Sequence, residues 1–486
     1  MIQMPPPDAT VLAQRQAIVQ ALRDALPGAV IDDPAETRAY ECDALSAYRC
    51  APLAVVLPST TQEVSRLMRV CHDLRVPVVP RGAGTSLAGG SMPTEDAVII
   101  GLSRMTEVLE IAPDDRLIRV QAGRTNLSVS GAVDGLGFFY APDPSSQLAC
   151  AIGGNIAMNS GGAHCLKYGV TTNNLLGVTL VLMDGSVVTL GGPMGEGPGL
   201  DLLGVVCGSE GQLGIVTEAT LRILPKPAGA RPVLIGFDSS ETAGACVAAI
   251  IRAGIIPVAI EFMDSPCIRA TEAHAGAGYP DCEALLIVEV EGTAAEIDEQ
   301  LSLIRDIATR FDPIEFRESR SEDESRRIWL GRKSAFGAMG QMGDYICLDG
   351  TIPVTALPQV LAGIGRLSRD YGLSVANVFH AGDGNMHPLI IYDANKPGDL
   401  DRAEAFGADI LRLCVQAGGC LTGEHGVGIE KRDLMSEQFA PGDMEAQMRV
   451  KDAFDPDWLL NPAKVFPLEV SAPRRERRLN RPADAA

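Results

Sequence analysis

The placement of glycine constrains this chain more than any other feature. Between residues 81 and 214 four segments mix glycine with small hydroxyl and amide side chains: Arg81-Gly82-Ala83-Gly84-Thr85-Ser86-Leu87-Ala88-Gly89-Gly90, Pro142 to Ser146, Gly153-Gly154-Asn155 to Gly161-Gly162, and Gly208 to Gly214. The first follows the apolar run Val76–Val79, where phosphate loops often lie. It is not a Rossmann fingerprint, because the third glycine would fall at Leu87. It is not a Walker loop, because no lysine follows Gly89-Gly90. The remaining reading is a nest of backbone N–H groups, opened by glycine so that a pyrophosphate can come close. Four such loops in one domain point to a ligand of dinucleotide size. The pattern does not say which dinucleotide.

The 486 residues are too many for one core, and two or three domains are expected. Val11 to Leu26 reads as an amphipathic helix stopped at Pro27-Gly28. Thr60 and Glu63 form a capping box for a helix running to about Leu74. Short apolar runs follow at Ala97–Leu102, Leu117–Gln121, Val178–Met183 and Ile215–Leu224. Beyond Lys226-Pro227 the texture changes to helix–strand units, Thr242–Ala253 then Ile256–Phe262, and Leu285–Val290 then Ala294–Thr309. That pattern predicts a sheet covered by helices on one face. Glycine turns return from about Gly418, and the tail from Arg474 is expected to be disordered.

Lys and Arg number 41 against 62 Asp and Glu, a net charge of −21. Such a chain is a poor nucleic-acid or anionic-membrane binder. An anionic substrate would need a local cation. The 12 cysteines include no C-x-x-C pair, so they read as scattered reduced thiols without an iron–sulfur cluster. The N-terminus has no signal-peptide pattern, and the apolar stretch Ala245–Phe262 is broken by Arg252, Gly254 and Pro257. No transmembrane segment is expected.

Only six histidines occur, and three of them (His380, His387 and His425) fall close together in turns rich in glycine or proline. Turns of that kind shield a core histidine poorly. With Glu424, two histidines make a divalent-metal site with open positions, and the third is left as a base. Hydrogen-bonded surface histidines remain the competing reading. Taken alone, Arg332 reads as a surface charge.

From about Glu41 to Pro462 the chain resembles the FAD-linked 2-hydroxy acid dehydrogenases of the vanillyl-alcohol oxidase and p-cresol methylhydroxylase superfamily, and among them the FAD-binding D subunits of bacterial glycolate oxidases. The likeness is carried by Tyr140-Ala141-Pro142-Asp143-Pro144-Ser145-Ser146, by His164-Cys165-Leu166-Lys167-Tyr168-Gly169 and by Asn377 to Pro388. It implies an α+β chain: a two-part FAD-binding domain of the p-cresol methylhydroxylase type, and a ferredoxin-like α+β cap for the substrate. A C-terminal segment returns to the FAD domain. The expected bounds are an N-terminal helical segment 1–47, the FAD-binding domain 48–227, the cap 228–417, the returning segment 418–470 and the tail 471–486.

The resemblance places FAD contacts at Arg81, Gly82, Gly84, Thr85, Pro142, Ser145, Gly153, Gly154, Asn159, Gly161, Gly162, Glu210, Gly214, Ile215 and Val216, with Asn385 beside the flavin and substrate. Thr85 stands where some relatives carry a flavin-linked histidine, so the FAD is expected to be non-covalent. His380, His387 and Glu424 match ligands of a divalent metal (zinc, manganese or iron), His425 matches the general base, and Arg332 matches the arginine that binds the substrate carboxylate. His164 is expected to give structural support.

The chemistry needs these types. A 2-hydroxy acid chelates a metal that acidifies its hydroxyl, a histidine removes the proton, and hydride passes to the flavin. Dehydrogenases of D-2-hydroxyglutarate have polar residues where Phe336, Cys347 and Leu389 align here. A second carboxylate would be buried unpaired, so a short substrate, glycolate or D-lactate, is expected. The partners implied are an iron–sulfur subunit and a second flavin-domain-like subunit. The location implied is cytoplasmic, with membrane contact at the inner membrane only through those partners. A stand-alone D-lactate dehydrogenase and a non-catalytic electron-relay flavoprotein are the alternatives.

Overall fold

The computed structural model describes residues 2–193 and 199–479. It divides into two compact units, and the chain passes between them more than once.

One unit comprises Ile2–Ser160, Val170–Pro225 and the chain from His425 onward. In its smaller sheet, strands Ala54–Val56, Val98–Gly101 and Val78–Arg81 run parallel. The helix Thr61–Asp73 supplies one crossover. Thr60 accepts the Glu63 N–H and so caps the helix where the sequence predicts it, but Glu63 reaches back to the Ser59 N–H and not to that of Thr60, so the expected box closes one residue early. Val64, Leu67, Met68 and Cys71 recur at helical spacing and are buried. A five-stranded antiparallel sheet follows, in the order Val108–Ala112, Leu117–Gln121, Ile215–Arg222, Leu175–Val181, Val187–Gly191. One apolar cluster joins Val56, Val98 and Ile100 of the first sheet to Ile118, Leu180 and Ala219 of the second.

Two expectations are corrected in this unit. The N-terminal segment is not separate, because Ile18, Val19 and Leu22 enter the same core as Leu67 and Met68. The tail is not disordered throughout. Leu468–Leu479 is a helix, with Arg474 paired to Glu445 and Asp452. Residues 480–486 lie outside the described residues.

The other unit comprises Gly161–Gly169 and Lys226–Glu424. Its sheet runs in the order Glu315–Glu318, Ala230–Phe237, Ala284–Glu291, Ala259–Asp264, Val375–His380, with short strands beyond. Helices Ser240–Arg252, Ala294–Ala308, Leu357–Tyr371 and Asp399–Gln416 bury their apolar stripes on one face, through Val247, Ile304, Val360 and Ile410. The expectation of helices on one face only is incomplete. Glu322–Gly340 lies on the opposite face, where its Arg332 meets Glu261 of the strand Ala259–Asp264. That opposite face is the polar one. Strand alternation sends Leu286, Val288 and Val290 into the core, so Glu289 and Glu291 face the other way. They hold the Gly161–Gly169 segment. Lys167 pairs with Glu291 at 2.8 Å, Tyr168 donates to Glu291, and His164 Nε2 lies 3.3 Å from Glu289. This is why 161–169 clusters with the second unit although it falls within the expected FAD-binding stretch 48–227.

Among the described residues no helix is long and apolar enough to cross a membrane.

Lys464 is buried in the first unit and donates to the Pro462 carbonyl. Burial pushes its ammonium down to about 7, against roughly 10.4 in an unfolded chain. Between those values the unfolded chain binds more protons, so this group makes stability rise with pH from about 7 to 10. Lys464→Met is expected to remove that contribution: the gain in urea midpoint between pH 7 and pH 9 will be smaller in the variant than in the parent.

Candidate active site

The sheet face of the second unit that bears Glu289 and Glu291 also carries His380, and His387 follows in the same unit; His425 belongs to the first unit. Glu261 lies opposite His380 in the ladder, and Phe262 opposite Phe379. The two phenylalanines stack at 4.7 Å in the core. Alternation therefore puts Glu261 and His380 together on the other face. His380 Nδ1 stands 2.8 Å from Glu261 Oε1, which turns Nε2 toward Glu424, 3.5 Å from its Oε1. His387 Nε2 is 3.1 Å from that same oxygen, and its Nδ1 donates to the Leu348 carbonyl at 3.2 Å. The remaining Glu424 oxygen accepts the Gly161 N–H at 3.1 Å. The ligand atoms of His380, His387 and Glu424 all lie within 4.8 Å of one another.

Burial by itself would lower both imidazoles. Glu261 and Glu424 reverse this and hold His380 well above its ordinary value, while Cys347 and Glu424 bring His387 up to about 10. Burial would raise Glu424, yet the two imidazoles hold it well below the usual carboxylate range. Two imidazole nitrogens and a carboxylate oxygen, with each Nδ1 anchored, fit a zinc, manganese or iron ion with open positions.

Two carboxylates that sequence reasoning missed organise this cluster. Asp349 is fully buried and accepts from Gly423 N (3.0 Å), Glu424 N (3.1 Å), Asn385 Nδ2 (2.9 Å) and the Thr422 hydroxyl. It thereby fixes both Glu424 and Asn385. Glu261 accepts a hydrogen bond from Arg332 Nε at 2.8 Å, with Nη2 at ion-pair distance, 2.7 Å. Its signal was a lone charge in an apolar strand pattern. Arg332 is buried, so it is no surface charge.

Phe336, Cys347 and Leu389 gather near His387. The Phe336 ring is 6.4 Å from that imidazole, and Cys347 hydrogen-bonds it. Cys347 and Leu389 are cross-strand partners. Their neighbours Ile346 and Ile390 go to the core, so these two side chains share the opposite face. Lys333 is exposed.

The first unit holds most of the expected FAD contacts. Its first loop follows the strand Val78–Arg81. Within the described residues, no backbone N–H from Gly82 to Leu87 donates a hydrogen bond. Gly84 has φ +73°, and a Cβ there would lie 2.2 Å from Arg81 Nη2. Arg81 is itself buried and donates to the Cys42 carbonyl at 2.9 Å. A Cβ on Gly82 would come within 3.5 Å of Gly154 N, so the first and third glycine loops abut. Gly153 is equally tight against Ala122. These are the features of a cradle that backbone lines and a Cβ would fill, and they fit a pyrophosphate.

Other members have different surroundings. Pro142 is buried with its carbonyl bonded to Asn126, and Ser145 is exposed. Asn159 closes the helix Ile152–Met158 in the left-handed region, its amide oxygen taken by Thr172 N. Both Glu210 oxygens accept backbone N–H groups, from Val427 and Gly428 at 2.7 Å each, and so secure the turn that begins at His425. Gly214, Ile215 and Val216 are buried at the start of a central strand. Gly161, Gly162 and Asn385 belong to the other unit.

The FAD binding domain family matches residues 52–191, and the C-terminal domain family of FAD linked oxidases matches residues 226–465. The glycolate oxidase subunit GlcD of Escherichia coli strain K12 is 51% identical over 93% of this chain and 91% of its own length. The chain belongs to the GlcD family of FAD-linked oxidoreductases. The GlcD of Bacillus subtilis strain 168 is 36% identical over 90% of the chain and 93% of its own length. A D-lactate dehydrogenase of Archaeoglobus fulgidus is 32% identical, covering 85% and 90%. The fold of this GlcD-family chain is that of p-cresol methylhydroxylase, with TM-score 0.80 at 19% identity, covering 96% of this chain and 99% of that one.

Gly84→Ala meets both a left-handed backbone and the Arg81 guanidinium. A left-handed alanine costs roughly 1–2 kcal/mol. If the loop shifts to relieve it, the dissociation constant for FAD will rise about tenfold, read as a lower ratio of flavin to protein absorbance after gel filtration.

Proposed function

We propose that this chain is the flavin subunit of a multi-subunit dehydrogenase that oxidises glycolate to glyoxylate, and also D-lactate to pyruvate. The observation that carries the reading is the convergence of His380 Nε2, His387 Nε2 and Glu424 Oε1, with each imidazole anchored at Nδ1. It is a donor set suited to a divalent metal, which the hydroxyl and carboxylate of a 2-hydroxy acid chelate together. When bound, the metal supplies positive charge that acidifies the hydroxyl, and FAD supplies the acceptor for the two electrons and hydrogen lost from the α-carbon.

The chain's own residues do the rest. His425 takes the hydroxyl proton, and Arg332 receives the substrate carboxylate on its planar fork. Asn385, held by Asp349, lines the pocket. Phe336, Cys347 and Leu389 give an apolar wall near His387, which leaves no partner for a second carboxylate and favours short substrates. Thr85 in the first loop supports non-covalent flavin.

The relatives named as subunits support a complex, in which an iron–sulfur subunit takes the electrons and a second flavin-domain-like subunit completes the assembly. The cysteines here are dispersed thiols, which supports a separate carrier of the cluster. The place in the cell is then the cytoplasm, at the inner membrane through those partners. The second reading, a stand-alone D-lactate dehydrogenase, is favoured by the Archaeoglobus relative. Co-purification of an iron–sulfur protein with the tagged chain decides between them.

His425→Ala is expected to lower kcat with glycolate and an artificial dye by about 10²–10⁴-fold while flavin content stays at the parent level. Normal turnover in that variant would remove His425 from the mechanism. In the same assay, kcat/KM for glycolate and D-lactate should exceed that for D-2-hydroxyglutarate. A preference for the dicarboxylate would overturn the short-substrate reading. Elemental analysis should find one divalent metal per chain, lost with activity on chelation.

A further inference from the structure

Among the described residues Glu261 is the one carboxylate that touches both a proposed metal ligand and the proposed carboxylate-binding arginine. Its side chain is fully buried, and each oxygen has a different duty. Oε1 takes His380 Nδ1 at 2.8 Å. Oε2 accepts Arg332 Nε at 2.8 Å, and Nη2 lies 2.7 Å from the same oxygen as an ion-pair contact without a hydrogen bond. The first contact sets the ring so that Nε2 is presented to Glu424. The second holds the guanidinium by Nε on its side edge and leaves the end edge, formed by Nη1 and the buried Nη2 that has no hydrogen-bond partner among the described residues, for another carboxylate. The strands make this arrangement rigid. Glu261 and His380 are ladder partners in the middle of the sheet, and Arg332 reaches them from the helix Glu322–Gly340.

We infer that Glu261 is a positioning residue that orients His380 for metal binding and Arg332 for substrate binding through one shared carboxylate. The inference rests on the proposed roles of His380 and Arg332. It assigns to Glu261 a duty that a purely structural ion pair would not have. A structural pair would affect stability when broken, and would leave the affinity for metal and the Michaelis constant alone.

Glu261→Gln keeps the shape and removes the charge. An amide offers one acceptor oxygen, so it cannot serve both partners as the carboxylate does. Metal-free protein of the parent, Glu261→Gln and His380→Ala would be titrated with zinc and with manganese by calorimetry, and KM and kcat for glycolate measured on loaded enzyme. The expected result for Glu261→Gln is a loss of metal affinity of about 10–100-fold with a raised KM, and flavin content like the parent. Glu261→Asp should recover part of both losses.

Breaking one side of a buried pair leaves a charge uncompensated and can prevent folding. The double variant Glu261→Gln with Arg332→Met removes both charges, and its metal affinity should still fall. Parent-like metal affinity in either folded variant, with His380→Ala losing its metal, would overturn the role of Glu261 alone. Parent-like metal affinity in His380→Ala would instead overturn the metal reading beneath it.

Discussion

A carboxylate that water cannot reach must collect its hydrogen bonds from the chain, and Asp349 collects them from the residues that make the site. Its two oxygens take the backbone N–H groups of Gly423 and Glu424, the Asn385 amide and the Thr422 hydroxyl. Four donors to one buried anion fix the loop more firmly than any single contact. Glu424 can then present one oxygen to two imidazoles while Gly161 holds the other. Without the Asp349 carboxylate the Glu424 N–H would be orphaned at the point where that residue must be placed to a few tenths of an ångström, while the Gly423 N–H would keep its bond to the Asp349 carbonyl.

Much of this was legible in the sequence, because local rules govern it. The N-cap at Thr60, the helix–strand texture beyond Lys226-Pro227 and the glycine loops all follow from spacing and backbone chemistry. The histidines and Glu424 stood out because glycine turns make poor homes for buried imidazoles. What was not legible depends on pairing across the sheet. Nothing near Glu261 in the sequence says that His380, 119 residues later, lies opposite it. The excursion of 161–169 is set by Glu289 and Glu291, which read only as acidic residues ending an apolar run. The tail was misjudged because its basic residues find Glu445 and Asp452 on the helix before it, a pairing that local composition does not show.

The glycine-loop unit shows how backbone strain is tolerated. Trp458, Asn461, Ala463 and Val465 all have φ between +44° and +68°, although none is glycine. Left-handed residues of this kind cost roughly 1–2 kcal/mol each. They persist because the surroundings over-determine them. Arg432 Nη1 donates to the Ala463 carbonyl at 2.8 Å, Val465 N to the Gly428 carbonyl at 2.9 Å, and the Asn461 amide to the carbonyls of Gly90 and Glu210. The strained segment is thereby stitched to the first glycine loop, to Glu210 and to the turn after His425, which share one scaffold.

Charge balance bears on what the histidine cluster is built to hold. The two imidazoles are flanked by the carboxylates of Glu261 and Asp349, fully buried, and of Glu424, nearly so, against one buried guanidinium, Arg332. With neutral imidazoles the group carries two uncompensated negative charges, and burying them is costly. The chain also carries a net charge of −21, so the wider field does not help. Two added protons restore balance, which is the physical meaning of the raised imidazoles and the lowered Glu424. One divalent cation restores it equally and takes the same nitrogens in their neutral form. Only the second solution would also attract an anion carrying a hydroxyl beside its carboxylate, because such a cation would keep open positions beyond the three protein ligands proposed for it. A proton-filled cluster spends both imidazole N–H groups on Glu424 and has nothing further to offer such a substrate.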